Sequence, residues 1–131
     1  MSKETKTLWG KYEVLLDEPG YAVKRLTVAP GEWLSLQLHN HRREVHTIVE
    51  GTGTFEVEGV KTDVRPGSYI YVPALATHRI SNTGTDDLVI IEVWHAVGTG
   101  KLEESDIIRF EDKYHHIDPD TGDRTLKDEY K

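Results

Sequence analysis

Between Gly31 and Gly51 the chain reads GEWLSLQLHNHRREVHTIVEG, and this stretch limits what the rest can become. Three of the seven histidines, His39, His41 and His46, stand here beside Gln37 and Glu44. Side chains alternate between the two faces of a strand. On that reading Ser35, Gln37, His39 and His41 share one face, whereas Leu34, Leu36 and Leu38 share the other. After a turn at Arg42 and Arg43, Glu44 and His46 share a face of the next strand with Ile48, so Glu44 can point inward with Gln37 and His39. Imidazole and oxygen donors gathered in this way are what a small divalent-metal site needs. A ligand-bearing face opposite an apolar one predicts a barrel wall around a wet interior. The apolar Leu face then requires a cover, and a second subunit is the expected one, which makes a homodimer the expected assembly.

The remaining pattern is one of short extended runs. Leu8–Leu16, Tyr21–Val28, Trp33–His39, Glu44–Glu50, Thr54–Glu58, Lys61–Arg65, Tyr69–Val72, His78–Asn82 and Leu88–His95 read as strands between turns rich in glycine and proline. No long amphipathic helix interrupts them, so the expected fold class is all-β, a barrel or a sandwich. A short helical turn is expected near Leu102–Glu104, followed by an extended run from Ile107 to Phe110. At 131 residues one domain is expected. Its expected extent is residues 1–114, with residues 115–131 as a polar C-terminal extension in which Ile117, Leu126 and Tyr130 are the bulky apolar residues.

Composition narrows the function classes. Without cysteine, neither a disulfide framework nor a thiolate metal site is possible. No apolar run long enough to span a membrane and no signal-peptide pattern is present, so a cytoplasmic protein is expected. A net charge of −7, from 23 acidic and 16 basic residues, is poor electrostatics for a nucleic-acid backbone.

The spacing of these residues resembles the cupin superfamily. Gly31, Gln37, His39, Glu44 and Gly51 follow its first motif, with glutamine in place of the first histidine. Gly67, Pro73, His78 and Asn82 follow its second motif, with Leu75 where a glycine is usual. The likeness narrows further through Trp9-Gly10-x-Tyr12, Val23-Lys24-Arg25, Leu34-Ser35-Leu36-Gln37, Tyr71-x-Pro73, Ile91-Glu92-Val93 and Asp106-Ile107-Ile108-Arg109-Phe110-Glu111-Asp112. These look like the type II phosphomannose isomerases, whose isomerase domain is often fused to a mannose-1-phosphate guanylyltransferase. The resemblance covers roughly residues 7 to 114. It implies a cupin double-stranded β-helix, also called a jelly-roll barrel, and Gln37, His39, Glu44 and His78 as ligands of one divalent metal ion. Zinc suits such a set, as do manganese, iron, cobalt and nickel. Where the family has Glu-His-Trp this chain has Glu44-Val45-His46. With no Gly-rich phosphate loop, guanylyl transfer by this polypeptide is not expected.

The implied reaction interconverts mannose 6-phosphate and fructose 6-phosphate through an enediol intermediate whose developing charge a metal stabilises. It needs a base. His41 on the ligand face and Glu92 in the apolar run Val89–Trp94 are the candidates, with His46 a weaker third. A sugar phosphate also needs cations, and Lys24, Arg25 and Arg42 are the candidates; Lys24 and Arg25 point to opposite faces, so at most one of them reaches the interior. Alternative readings are a non-catalytic sugar-binding or regulatory cupin and another cupin metalloenzyme such as a dioxygenase.

Overall fold

The computed structural model describes residues 3–98 and 102–111. Its strands in chain order are β1 Lys3–Lys6, β2 Gly10–Asp17, β3 Tyr21–Val28, β4 Leu36–Leu38, β5 Arg42–Glu50, β6 Gly53–Val57, β7 Val60–Val64, β8 Tyr69–Val72, β9 His78–Asn82, β10 Leu88–Ala96 and β11 Ile108–Glu111. They form a six-stranded sheet in the order β1-β2-β3-β10-β5-β8 and a five-stranded sheet in the order β11-β4-β9-β6-β7. Every pairing is antiparallel. No helix occurs among the described residues, and so none is long and apolar enough to cross a membrane.

Alternation is clearest on β3, β5, β9 and β10, where buried residues recur at every second position. Register then sorts the interior into two zones. Leu88 lies opposite Val28, and Ile90 lies between Leu26 and Ile48. With Phe55, Val64 and Ile80 from the second sheet, these residues form the apolar core. One step further along the same strands, Glu92 lies between Lys24 and His46, and Trp94 lies between Ala22 and Glu44. The barrel is therefore filled with hydrocarbon at one end and with charge at the other. His46 sits on the boundary, its ring meeting Phe55 edge-on with centroids 5.0 Å apart. The apolar zone offsets the conformational entropy of folding. The polar zone has to stabilise itself by pairing.

Four expectations change. β1 was not anticipated. The strand carrying Gln37 is short and ends at Leu38, so the face alternation stops before Asn40 and His41. Leu34 precedes the strand and packs against the core, while β11 pairs alongside Leu36 and Leu38 from the same chain. That pairing is edge to edge and leaves Leu36 and Leu38 half-buried. Glu104 and Ser105 form a turn instead of the expected helical turn. The expected boundary at residue 114 and the extension 115–131 lie outside the described residues.

Asn82, at the end of β9, ties the apolar end together. Its amide nitrogen donates to the carbonyls of Val28 at 2.8 Å and Asp86 at 2.9 Å, and its amide oxygen accepts from Gly84 N at 2.9 Å. The two motif glycines differ in kind. Gly31 (φ 80°) has open space where a Cβ would stand, whereas at Gly51 (φ 86°) a Cβ would lie 2.4 Å from the Asp87 carbonyl oxygen. Gly31→Ala is expected to lose about 1–2 kcal/mol through the left-handed backbone alone. Gly51→Ala is expected to lose about 1–3 kcal/mol more from overpacking. Urea denaturation of the two variants checks the order.

Candidate metal centre

Two histidines arrive from different strands with the same handle. His39, just past β4, directs Nδ1 to the Asp106 carbonyl at 2.7 Å, and His78, at the start of β9, directs Nδ1 to the Ala76 carbonyl at 3.1 Å. A carbonyl only accepts, so each Nδ1 carries the proton and each Nε2 keeps its lone pair. Both lone pairs face Glu44, with His39 Nε2 3.3 Å from one carboxylate oxygen and His78 Nε2 3.6 Å from the other. One ligand atom from each of the three residues lies within 4.8 Å of the others, and all three residues are buried. Two imidazole nitrogens and a carboxylate held in this way could hold a divalent ion, and the backbone carbonyls behind them orient the rings.

Local contacts fix this arrangement. Asp106 accepts from the backbone N–H groups of Asn40 and His41, both at 2.8 Å, which clamps the turn that carries His39. The Pro73–Ala76 turn holds both histidines: Leu75 N donates to the His39 carbonyl at 2.8 Å while Ala76 accepts from His78. Leu75 has φ 71°, a left-handed conformation that explains why the cupin pattern prefers glycine there.

Electrostatics fit ligands that are ready to bind. Burial drives the His39 pKa down to about 3, against the pull of Glu44, and burial also lowers that of His78. Both rings are therefore neutral at pH 7. Burial opposes the charge on Glu44, yet its carboxyl stays well below the usual range, with His46 donating a hydrogen bond to it. Arg42 adds a full cation. Its Nε donates to Glu44 at 2.7 Å, its Nη2 donates to His39 Nε2 at 3.1 Å, and its guanidinium lies 3.4 Å from the centroid of Trp94.

A second grouping, Glu44, His46 and Glu92, is equally close. His46 Nε2 is 2.8 Å from Glu44 and 3.4 Å from Glu92, distances at which an N–H serves carboxylates. Its Nδ1 is buried and has no hydrogen-bond partner among the described residues, which is tolerable for a lone pair and costly for a proton. His46 is thus a donor that holds Glu44 in place. Burial works against charging His46, but Glu92 and Glu44 raise its pKa overall. Burial lifts Glu92 to about 7, with the charge on Glu44 adding to the effect.

These groups line or underlie a cavity of about 290 Å³ whose walls include Gln37, His39, His46, His78, Glu92 and Trp94. Gln37 lies directly opposite His78 in the sheet, and its amide nitrogen donates to Ser35 O at 3.3 Å. Lys24 and Arg42 reach the cavity, and Arg25 does not: it is on the outer face, paired with Glu13. His41 is exposed and does not line the cavity, because the strand that would have aimed it inward has already ended. Strand parity also missed Arg109, which β11 places opposite Gln37 and against the cavity, and Glu104. The only signal for Arg109 was the Asp106–Asp112 run and Glu104 had none, since nothing local says where a returning strand will pair.

A profile of the family "Mannose-6-phosphate isomerase C-terminal" matches residues 1–112. The chain belongs to that family. Mannose-1-phosphate guanylyltransferase ManC of Salmonella typhimurium is 40% identical over 117 residues, which are 89% of this chain and 24% of that protein. The chain thus spans about a quarter of the length of this curated relative. Among solved structures, KdgF from Halomonas matches with a TM-score of 0.67 at 16% identity over 71% of this chain and 86% of that one. The cupin domain of Cnp3 from Schizosaccharomyces pombe matches with a TM-score of 0.67 at 17% identity over 72% of this chain and 68% of that one. The fold is the cupin double-stranded β-helix. The family is named for an isomerase, while the full-length relative is named for nucleotidyl transfer.

Asp106→Asn tests the clamp behind His39. Replacing one of its two accepting oxygens with an amide is expected to destabilise the fold by roughly 1–3 kcal/mol at neutral pH. The backbone N–H groups of Asn40 and His41 hold the Asp106 carboxyl below its ordinary value despite partial burial. Its stabilisation is therefore present above the ordinary aspartate pKa and is lost as pH falls through the lower, folded-state value. Thermal melts of wild type and variant should converge as the medium becomes strongly acidic.

Proposed function

We propose that this chain is a metal-dependent aldose–ketose isomerase that interconverts mannose 6-phosphate and fructose 6-phosphate. The observation that carries the reading is the convergence of two neutral imidazole lone pairs and an ionised carboxylate beside a polar cavity, next to a second buried carboxylate that is not one of them. Gln37, His39, Glu44 and His78 would hold the ion, with zinc as the first choice for this donor set. A bound divalent cation supplies Lewis acidity, which polarises a carbonyl and stabilises the oxygen charge that develops when a neighbouring proton leaves.

The chain's own residues do the rest. Glu92 is the base: it lines the cavity, is buried, and is held between Lys24 and His46 by strand register. Burial raises its proton affinity, so a proton taken from one carbon can be returned to the next. This assigns to Glu92 the role for which His41 was a candidate. His46 positions Glu44 from below. Lys24 and Arg42 supply positive charge toward a phosphorylated substrate, and the apolar zone beneath His46 keeps water from the inner side of the site.

Two readouts test the proposal. Zinc added to chelator-treated wild type is expected to raise Tm, as any ligand that binds only the folded state must. In Glu44→Gln and His78→Ala that rise is expected to vanish. In a coupled assay for fructose 6-phosphate, Glu92→Gln is expected to lower kcat by roughly 10²–10⁴-fold, the contribution of a positioned general base, while the zinc-dependent Tm rise persists. A reconstituted wild type that binds zinc and sugar phosphate without turnover would make the chain a binding cupin. Iron-dependent oxygen consumption without isomerisation would make it an oxygenase.

A further inference from the structure

The segment from Leu102 to Ile107 lies across the cavity and touches its cations and ligands in succession. Arg42 Nη1 donates to the Glu103 carbonyl at 3.1 Å, Lys24 Nζ pairs with Glu104 at 2.8 Å, and Asp106 accepts from His39. The Lys24–Glu104 contact is lopsided. The lysine side chain is 6% exposed, whereas its glutamate partner is 60% exposed.

This asymmetry has a consequence in free energy. A buried ammonium left without a counter-charge is expensive, so Lys24 needs a partner at all times. An exposed carboxylate keeps most of its hydration and rotamer freedom when released, so Glu104 holds its place weakly. Tyr12 and Trp94 flank the ammonium, with ring centroids at 4.2 and 4.4 Å, and hold it where it is whichever anion it meets. The ion pair also stands between two spaces. Lys24, Trp94 and Glu104 line both the 290 Å³ cavity and a smaller one of about 80 Å³. Trp94 is buried, and its indole N–H has no hydrogen-bond partner among the described residues. An oxygen-rich anion at this point would meet a buried lysine held between two aromatic rings.

We infer that Lys24, Tyr12 and Trp94 form a subsite for the phosphomonoester of the ligand, and that Glu104 is an internal anion occupying it until the ligand arrives. The inference rests on the sugar-phosphate reading above and deepens it. Glu104 leaves as the phosphate enters, and the Glu103 carbonyl leaves Arg42 with it, so ligand binding and opening of the segment are one event. The subsite selects for phosphorylated sugars because a neutral sugar offers Lys24 no replacement charge.

The test is isothermal titration of the full chain, loaded with zinc, using inorganic phosphate, mannose 6-phosphate and mannose as probes. Glu104→Gln removes the competing charge at an exposed position and is expected to tighten both phosphate-bearing probes by roughly five- to tenfold, the scale of a weak ion pair and one hydrogen bond. Lys24→Met, close in volume and with the fold checked by circular dichroism, is expected to abolish phosphate binding, while mannose titrations look the same in all three proteins. Phosphate affinity unchanged or weakened in Glu104→Gln, or retained in Lys24→Met, overturns the subsite. Fructose 6-phosphate formation is assayed on the same samples. Turnover with unchanged phosphate affinity in Glu104→Gln removes the subsite and leaves the isomerase; tightened phosphate binding without turnover does the reverse.

Discussion

The structure depends on one buried carboxylate. Glu44 is almost wholly enclosed, and an unpaired charge at that depth would be too costly to fold. Its neighbours explain how it is tolerated: Arg42 and His46 donate to it at 2.7 and 2.8 Å, and His39 and His78 approach within 3.6 Å. Each of these partners is itself buried and has its own requirement. His39 and His78 lean on backbone carbonyls, Arg42 on the face of Trp94, and His46 on Glu92 and the edge of Phe55. The polar half of the barrel is therefore a single network, and much of the irregular chain around it serves to supply acceptors at its rim.

Division of the interior makes that network affordable. The apolar residues at the far end of β3, β5, β9 and β10 form a conventional core. Because the same strands carry both zones, the core sets the register that places Lys24, Glu44, His46 and Glu92 together. Stability and chemistry are thus segregated along the strands and not between different elements. The segment from Leu102 to Ile107 is the exception. It belongs to neither zone, and its attachments are to charged and ligand-bearing groups of the site, which is why its position is tied to whatever the site contains.

Much of the site was legible in the chain before folding was considered. Gln37, His39 and Glu44 are close in sequence, and alternation together with the glycine spacing points their side chains to a common side. Lys24 against Arg25 was legible as a choice of one, and the structure selects Lys24. The failures have a common origin. Alternation was extended to His41 although β4 ends at Leu38, and to Leu34 although the chain there is not yet a strand. A period of two is informative only while the backbone stays extended, and hydrogen-bond partners from elsewhere in the chain decide where it stops.

What the sequence determined by itself is the inventory: donors of metal-ligand type at strand spacing, no thiolate, acidic net charge, and glycines where left-handed turns are needed. Those are properties of side chains and of local backbone preference, which act over a few residues. Only the tertiary structure decided which nitrogen of each site histidine carries the proton, that His46 is a donor, that Glu92 is buried beside Glu44, and that Glu104 pairs with Lys24. Each of these turns on a contact between residues far apart in the chain, such as Asp106 with His39 or Glu104 with Lys24. The protonation and charge of a buried group follow from the partner that meets it, and that partner exists only after the sheets have closed.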